Sequence, residues 1–268
     1  MSETRLAINY SPEAAQLLAE GAVEVDLFKC PDWPDVMGAA LDHRPIYVHF
    51  PLVAGRGTLA DTDWLRLETL LEQSATGLVN VHLHADPDAA DPDALAERWL
   101  ADLALLSGRF GAERVVAENI IYFGPGGKTA AAATDPDLIS RVLRDSGVGL
   151  LLDLAHARIS ALHYGCDARD YIAALPTERL RELHVTGTGQ HEGRWRDHLA
   201  MSDADWALLV WGLEHLGHAW SRPDVIALEY GGVGPLFSWR SEREVIARSL
   251  PRLRALLDQA ESRLAAAS

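Results

Sequence analysis

The chain has 268 residues, of which 48% are hydrophobic and 24% charged, with 39 acids against 24 Lys and Arg and a formal net charge of -15. That length and apolar content suit a single domain spanning residues 1–268 with an ample core. The charge argues against a nucleic-acid surface, because no Lys/Arg-rich block offsets it. Two cysteines, Cys30 and Cys166, allow one disulfide but no disulfide framework, and the absence of a CxxC pair argues against a thiolate zinc site. The N-terminus lacks an apolar signal core, and no run reaches the roughly 18 apolar residues of a membrane span. The expectation is therefore a cytoplasmic protein with reduced thiols and no membrane partner.

In chain order, Arg5–Tyr10 reads as a short strand, and Ser11-Pro12-Glu13 opens a helix with Ser as N-cap and Pro at its first position. Residues 24–29 form the second strand, broken by Pro31 and Pro34, and residues 45–50 the third, stopped by Pro51. A helix from about Asp61 to Glu72 leads to the fourth strand, residues 77–84. There Val79, Val81 and Leu83 share one face, while Asn80, His82 and His84 share the other. Asp91-Pro92-Asp93 opens a long helix to about Phe110, and residues 114–119 form the fifth strand. Asp135-Pro136-Asp137 opens the next helix. The sixth strand, about 148–153, is an apolar run that ends in Asp153, with His156 three residues on. A helix around Ala168–Ala174 precedes the seventh strand, residues 180–185. A Gly-rich loop then carries Arg196-Asp197-His198, and Ser202 caps a helix to about Leu216. The eighth strand, residues 225–230, and a last helix at about 241–264 complete the chain. Eight strands alternating with helices predict an α/β fold, a (β/α)8 TIM barrel. An open doubly wound sheet is the alternative.

Sites in such barrels gather at the C-terminal ends of the strands. The polar residues predicted there are His49, His82, His84, Glu118, Asp153, His156, His184, Asp197, His198 and Glu229, including six of the eleven histidines. They are joined by acids rather than by bases. Imidazoles and carboxylates converging on one barrel mouth would repel or go unsatisfied without a cation. Mixed His and carboxylate donors suit zinc, iron or manganese better than magnesium or calcium, and nine of these donors exceed the needs of one tetrahedral ion. His84, on the face of His82, is placed to orient substrate or transfer a proton. Asp153 could instead cap the turn after its strand. Other motifs are excluded. Gly127-Lys128-Thr129 is not a phosphate loop, because position 122 is Tyr122. Gly187 and Gly189 lack the third glycine of a dinucleotide site, and no GxSxG element occurs.

These residues resemble a family. His49 after an apolar strand, Val81-His82-Leu83, Glu118-Asn119, Leu152-Asp153-Leu154-Ala155-His156-Ala157, Glu182-Leu183-His184-Val185-Thr186-Gly187 and Leu228-Glu229-Tyr230 are similar to the multinuclear non-heme iron-dependent oxidases, the group with methanobactin-type peptide-modifying enzymes. The resemblance runs from about Pro45 to Gly232. It implies a xylose-isomerase-like barrel holding two or three irons. It also implies an O2-dependent oxidation, typically of cysteine in a ribosomally made peptide or a related small thiol, with a separate substrate-recruiting protein as a candidate partner. The ligands it implies are His49, His82, Glu118, Asp153, His156, His184, His198 and Glu229, with Glu118 bridging. Two departures are visible: many members carry Asn where this chain has His156, and the family's loop usually reads Asp-x-His rather than Arg196-Asp197-His198. The competing readings are a divalent-metal sugar isomerase or epimerase, a trinuclear-zinc endonuclease-like hydrolase, and a metal-binding protein without turnover.

Overall fold

The computed structural model describes residues 4–89 and 91–267. Strands β1 (Arg5–Asn9), β2 (Leu27–Cys30), β3 (Ile46–Val48), β4 (Val53–Ala54), β5 (Val79–Leu83), β6 (Val115–Glu118), β7 (Gly149–Asp153), β8 (Leu180–Val185) and β11 (Val225–Leu228) form one all-parallel sheet. Its order is β3-β2-β1-β11-β8-β7-β6-β5-β4. The hairpin β9 (Gly187–His191) and β10 (Arg194–Leu199) stands apart from it.

The two edge strands, β3 and β4, are consecutive in the chain, and that fact closes the sheet. Pro51 cannot donate to a ladder, so the third strand position is interrupted there. The Asn80 side chain spans the gap from β5, accepting from Phe50 N at 2.7 Å and donating to Phe50 O at 2.9 Å. His82 N then donates to Leu52 O, and β4 pairs with β5. The result is a barrel of eight strand positions, as the alternation of elements predicts.

Helices α1 (Pro12–Ala19), α2 (Pro34–Leu41), α3 (Trp64–Glu72), α4 (Pro92–Phe110), α5 (Pro136–Ser146), α6 (Leu154–Tyr164), α7 (Ala168–Ala173), α8 (Asp203–Glu214) and α9 (Arg243–Ala267) cover the outside. Their starts follow the capping chemistry in the sequence. Ser11, Asp91 and Asp135 accept from backbone N–H groups of the first turn, with Pro in that turn each time. Two helices are absent from the sequence reading. One is α2, where Pro34 starts a helix instead of merely ending a strand. The other is α6, which leaves β7 with no loop between, because Asp153 is both the last strand residue and the helix N-cap.

Outward strand residues such as Phe28, Val48, Val81, Ala117 and Leu152 pack with the helices in the main core. A separate small cluster, Ala7, Leu27, Tyr47, Val225 and Ala227, fills the barrel interior. With a side-chain period of two, the next inward residue on each strand is the polar one. The layer above the apolar cluster is therefore Asn9, Lys29, His49, His82, Glu118, Asp153, His184 and Glu229.

Candidate metal centre

The barrel mouth brings together the donors predicted from the sequence. Glu118, 2% exposed, lies at their middle. Its Oε2 faces His82 Nε2 at 3.0 Å and His49 Nε2 at 3.4 Å. Its Oε1 faces His156 Nδ1 at 3.6 Å and His184 Nδ1 at 3.8 Å. Asp153 divides its carboxylate. Oδ1 accepts from His156 N at 2.9 Å as the N-cap, while Oδ2 lies 3.5 Å from His156 Nε2. The capping and site readings of Asp153 are thus both realised, one on each oxygen.

Asp197 and His198 come from the hairpin rather than from an irregular Gly-rich loop, which corrects the sequence reading. The β9–β10 register shifts between Arg196 and Leu199, so these two residues form a bulge. Bulges redirect side chains beside sites, and His198 adopts a positive φ of 57°. Gly187 lets the hairpin close, because a Cβ there would collide with the Ala200 backbone. Asp197 Oδ2 consequently lies 3.2 Å from His156 Nε2 and 3.6 Å from His198 Nε2.

Backbone carbonyls orient the rings. His82 Nδ1 donates to Leu52 O at 3.1 Å, His156 Nδ1 to Asn119 O at 2.7 Å, and His198 Nδ1 to Glu229 O at 2.9 Å. Each leaves Nε2 as the ring nitrogen directed into the mouth, which is how metal-binding imidazoles are held. Asn119 fixes the position of Asp153 by accepting from its N–H and donating to its carbonyl.

The electrostatics show what is missing. Glu118 Oε2 and Asp153 Oδ2 are buried and accept no hydrogen bond among the described residues. An imidazole lone pair facing a carboxylate oxygen repels it unless a proton or a metal ion lies between them. Burial pushes the Asp153 carboxyl up to about 7, reinforced by Glu229 and Glu118 against the opposing pull of His156. Burial would also raise Glu118, but His82, His184 and His49 outweigh it and hold the carboxyl well below the usual range. Burial and the neighbouring Lys29 lower His49. Burial opposes charge on His156, yet Asp153, Asp197 and Glu118 raise it well above the ordinary value. Protons therefore take the places where cations would sit, and this donor set fits metal ions. His49, His82 and Glu118 bring donor atoms within 4.8 Å of one another, as do Glu118, Asp153 and His184, and His49, Glu182 and His184.

The other side of the mouth differs, and sequence reasoning missed its main residue. Lys29, 5% exposed, forms an ion pair with Glu229, and its Nζ lies 3.5 Å from His184 Nδ1. His184 Nε2 pairs with Glu182 at 2.8 Å, and its Nδ1 lies 3.2 Å from Glu229 Oε1. Burial and Lys29 lower His184, but Glu229, Glu118 and Glu182 outweigh them and bring it to about 10. The expectation of acids without bases is thus corrected. The signal was present, because Lys29 ends the second strand as the acids end theirs.

His84 Nε2 faces Asp86 Oδ1 at 3.4 Å, beside Arg56. Its ring is thus engaged by Asp86 rather than by the Glu118 carboxylate. The cleft over the donors holds about 370 Å³. Its outer wall is apolar and cationic, with Trp33, Val36, Phe237 and Arg240, whose guanidinium sits 4.4 Å from the Phe237 ring centre. Among the described residues, no helix is long and apolar enough to cross a membrane.

Solved structures share this fold, and known sequences match part of the chain. A xylose isomerase domain containing protein from Salmonella typhimurium superposes with a TM-score of 0.58 at 16% identity, covering 96% of this chain and 98% of that one. A D-tagatose 3-epimerase-like protein superposes with a TM-score of 0.60 at 12% identity, covering 97% of this chain and all of that one. At such identities the likeness shows the fold alone. A UPF0276 protein of Bordetella bronchiseptica is 32% identical over 130 residues, 47% of this chain and 45% of that protein. The chain thus matches less than half the length of that curated relative. Residues 111–225, which carry Glu118, Asp153, His156, His184, Asp197 and His198, match the family described as RiPP precursor modification enzyme MbnB/TglH/ChrH. Across that segment the chain is similar to these enzymes, and its fold is that of the xylose-isomerase-like TIM barrels.

Proposed function

We propose that the protein is a multinuclear iron-dependent oxidase that uses O2 to modify cysteine in a ribosomally made peptide or a related small thiol. The observation that carries this reading is the pair of buried carboxylate oxygens, Glu118 Oε2 and Asp153 Oδ2, that face imidazole nitrogens without a donor beneath an open cleft. The match to RiPP-modifying enzymes supports the substrate class. Mixed imidazole and carboxylate donors also suit zinc and manganese, and the oxidase reading selects iron. Iron, when bound, supplies redox chemistry toward O2 and soft affinity for a thiolate.

The chain's own residues do the rest. Glu118 presents one oxygen to His49 and His82 and the other toward His156 and His184, so it would help to hold a metal ion with the first two rings. Leu52 O and Asn119 O lock His82 and His156 in the tautomers that keep Nε2 free. Trp33, Val36 and Phe237 shield the cleft from water on one side, and Arg240 offers a cation to an anionic part of the substrate. A separate protein recruits the peptide in this reading. The reaction takes place in the cytoplasm, where Cys30 and Cys166, both free, stay reduced.

The test is oxygen uptake by anaerobically purified, Fe(II)-loaded protein supplied with cysteine-containing peptides encoded beside its gene. Peptide-dependent O2 consumption with a mass change confined to a cysteine residue is expected. Oxygen-independent epimerisation of a ketose by the manganese- or cobalt-loaded protein, with no O2 uptake, would replace this reading with the sugar-epimerase one.

A further inference from the structure

Lys29 enters the barrel from β2, two residues beyond Leu27, which lies in the interior cluster. Its register partners are Asn9 on β1 and Tyr47 on β3. The side chain is enclosed by barrel wall and can only deliver its ammonium to the mouth. There it pairs with Glu229, which is equally buried. By distance, His184 belongs to two of the three donor groups. Yet its Nε2 is engaged by Glu182 at 2.8 Å, and its Nδ1 faces Glu229 Oε1 at 3.2 Å and Lys29 Nζ at 3.5 Å. A metal ion bound to Glu229 and His184 would sit against the ammonium, cation beside cation in a low-dielectric pocket. The remaining donors have no such internal cation: Glu118 Oε2 and Asp153 Oδ2 stay unpartnered.

We propose that Lys29 stands in for one metal ion at the Glu229–His184 corner. The centre then takes two ions rather than three, on His49, His82, Glu118, Asp153, His156, Asp197 and His198. This inference rests on the metal-centre reading above and fixes its stoichiometry. Glu229 and His184, both ligands by family resemblance, become here the counter-charge and the neighbour of a lysine. Buried ion pairs contribute little to stability compared with apolar replacements, so the effect of this pair lies in the charge and occupancy of the mouth.

The experiment is anaerobic Fe(II) loading of the metal-free protein, desalting and metal counting by mass spectrometry. The wild type is expected to hold two ions per chain. Lys29→Met, which frees Glu229, is expected to hold three, and Lys29→Arg two. Should Lys29→Met fail to fold, the double variant Lys29→Met/Glu229→Gln removes both members of the pair together and is expected to retain two ions with unchanged affinity. Three ions in the wild type overturns the inference and leaves the metal centre standing, as does an unchanged count of two in Lys29→Met or the loss of an ion from the double variant. Fewer than two ions in the wild type, with the variants equally depleted, overturns the multinuclear centre itself and the inference with it.

Discussion

The two sides of the barrel mouth solve the same problem differently. On the side of β1, β2, β8 and β11, buried charge is compensated within the chain, Lys29 against Glu229 and Glu182 against His184. On the side of β3, β5, β6 and β7, the side chains that face Glu118 and Asp153 are imidazoles, and one oxygen of each carboxylate is left without a donor among the described residues. Burial is nearly complete on both sides, so exposure cannot explain the difference. An uncompensated cluster of buried carboxylates is costly unless something from outside neutralises it. The contrast separates a part of the mouth finished by folding from a part whose donors fit a cation.

The sharpest way to break this contrast is Glu118→Ala. It removes the carboxylate that faces four histidines, and it should lower metal affinity by more than about 100-fold and abolish turnover, checked by metal content and O2 uptake. Lys29→Met probes the finished side. In the metal-free protein it leaves Glu229 buried without its partner and should cost about 3–5 kcal/mol by denaturant unfolding. Metal should restore part of that loss by binding only the folded state.

Acidity distinguishes the two states of the unfinished side. In the metal-free protein Asp153, at about 7, holds its proton above the unfolded value of roughly 4. Its contribution to stability is complete below that value and is lost as pH rises to about 7. On the finished side His184, at about 10, acts in the same direction, its contribution fading from about 6.5 upward. The melting temperature of the metal-free protein should therefore fall between about pH 5 and about pH 9. Metal ions need the Asp153 carboxylate deprotonated, so the gap between loaded and metal-free melting temperatures should widen as pH rises toward about 7.

A smaller effect belongs to Asn80, which joins the broken third strand and also touches His49 Nε2 at 3.2 Å. Asn80→Ala should weaken metal binding about 10–100-fold by loosening His49, and should destabilise the fold by about 1–3 kcal/mol. Smallest of all is His84→Ala. Its ring faces Asp86, so metal content should be unchanged and stability altered by no more than about 0.5 kcal/mol.

Much of this molecule is legible in its sequence because two periodicities agree. Apolar strand runs stop where a histidine or acid begins, and a period of two puts those residues inside the barrel. The elements that escape do so for identifiable reasons. α6 starts on the last residue of β7, so no loop marks the change of period. The break at Pro51 reads as a strand end, and its repair by Asn80 is a side-chain contact across 30 residues. The bulge that aims Asp197 and His198 lies in the register of a hairpin, which glycine content alone does not reveal. Lys29 ends its strand like the acids, but a lysine there reads as a solvent-seeking charge until its partner, 200 residues on, is in place.

The most direct measurement is anomalous X-ray diffraction at the iron edge from crystals grown anaerobically with Fe(II). The account predicts two iron peaks per chain, one bordered by His49, His82 and Glu118 and the other by Asp153, His156, Asp197 and His198, with Lys29 still paired to Glu229. A mouth without iron, its carboxylates hydrogen-bonded only to water, would contradict the metal centre. An iron ligated by Glu229 and His184, with Lys29 turned away, would contradict the division of the mouth into a finished and an unfinished side.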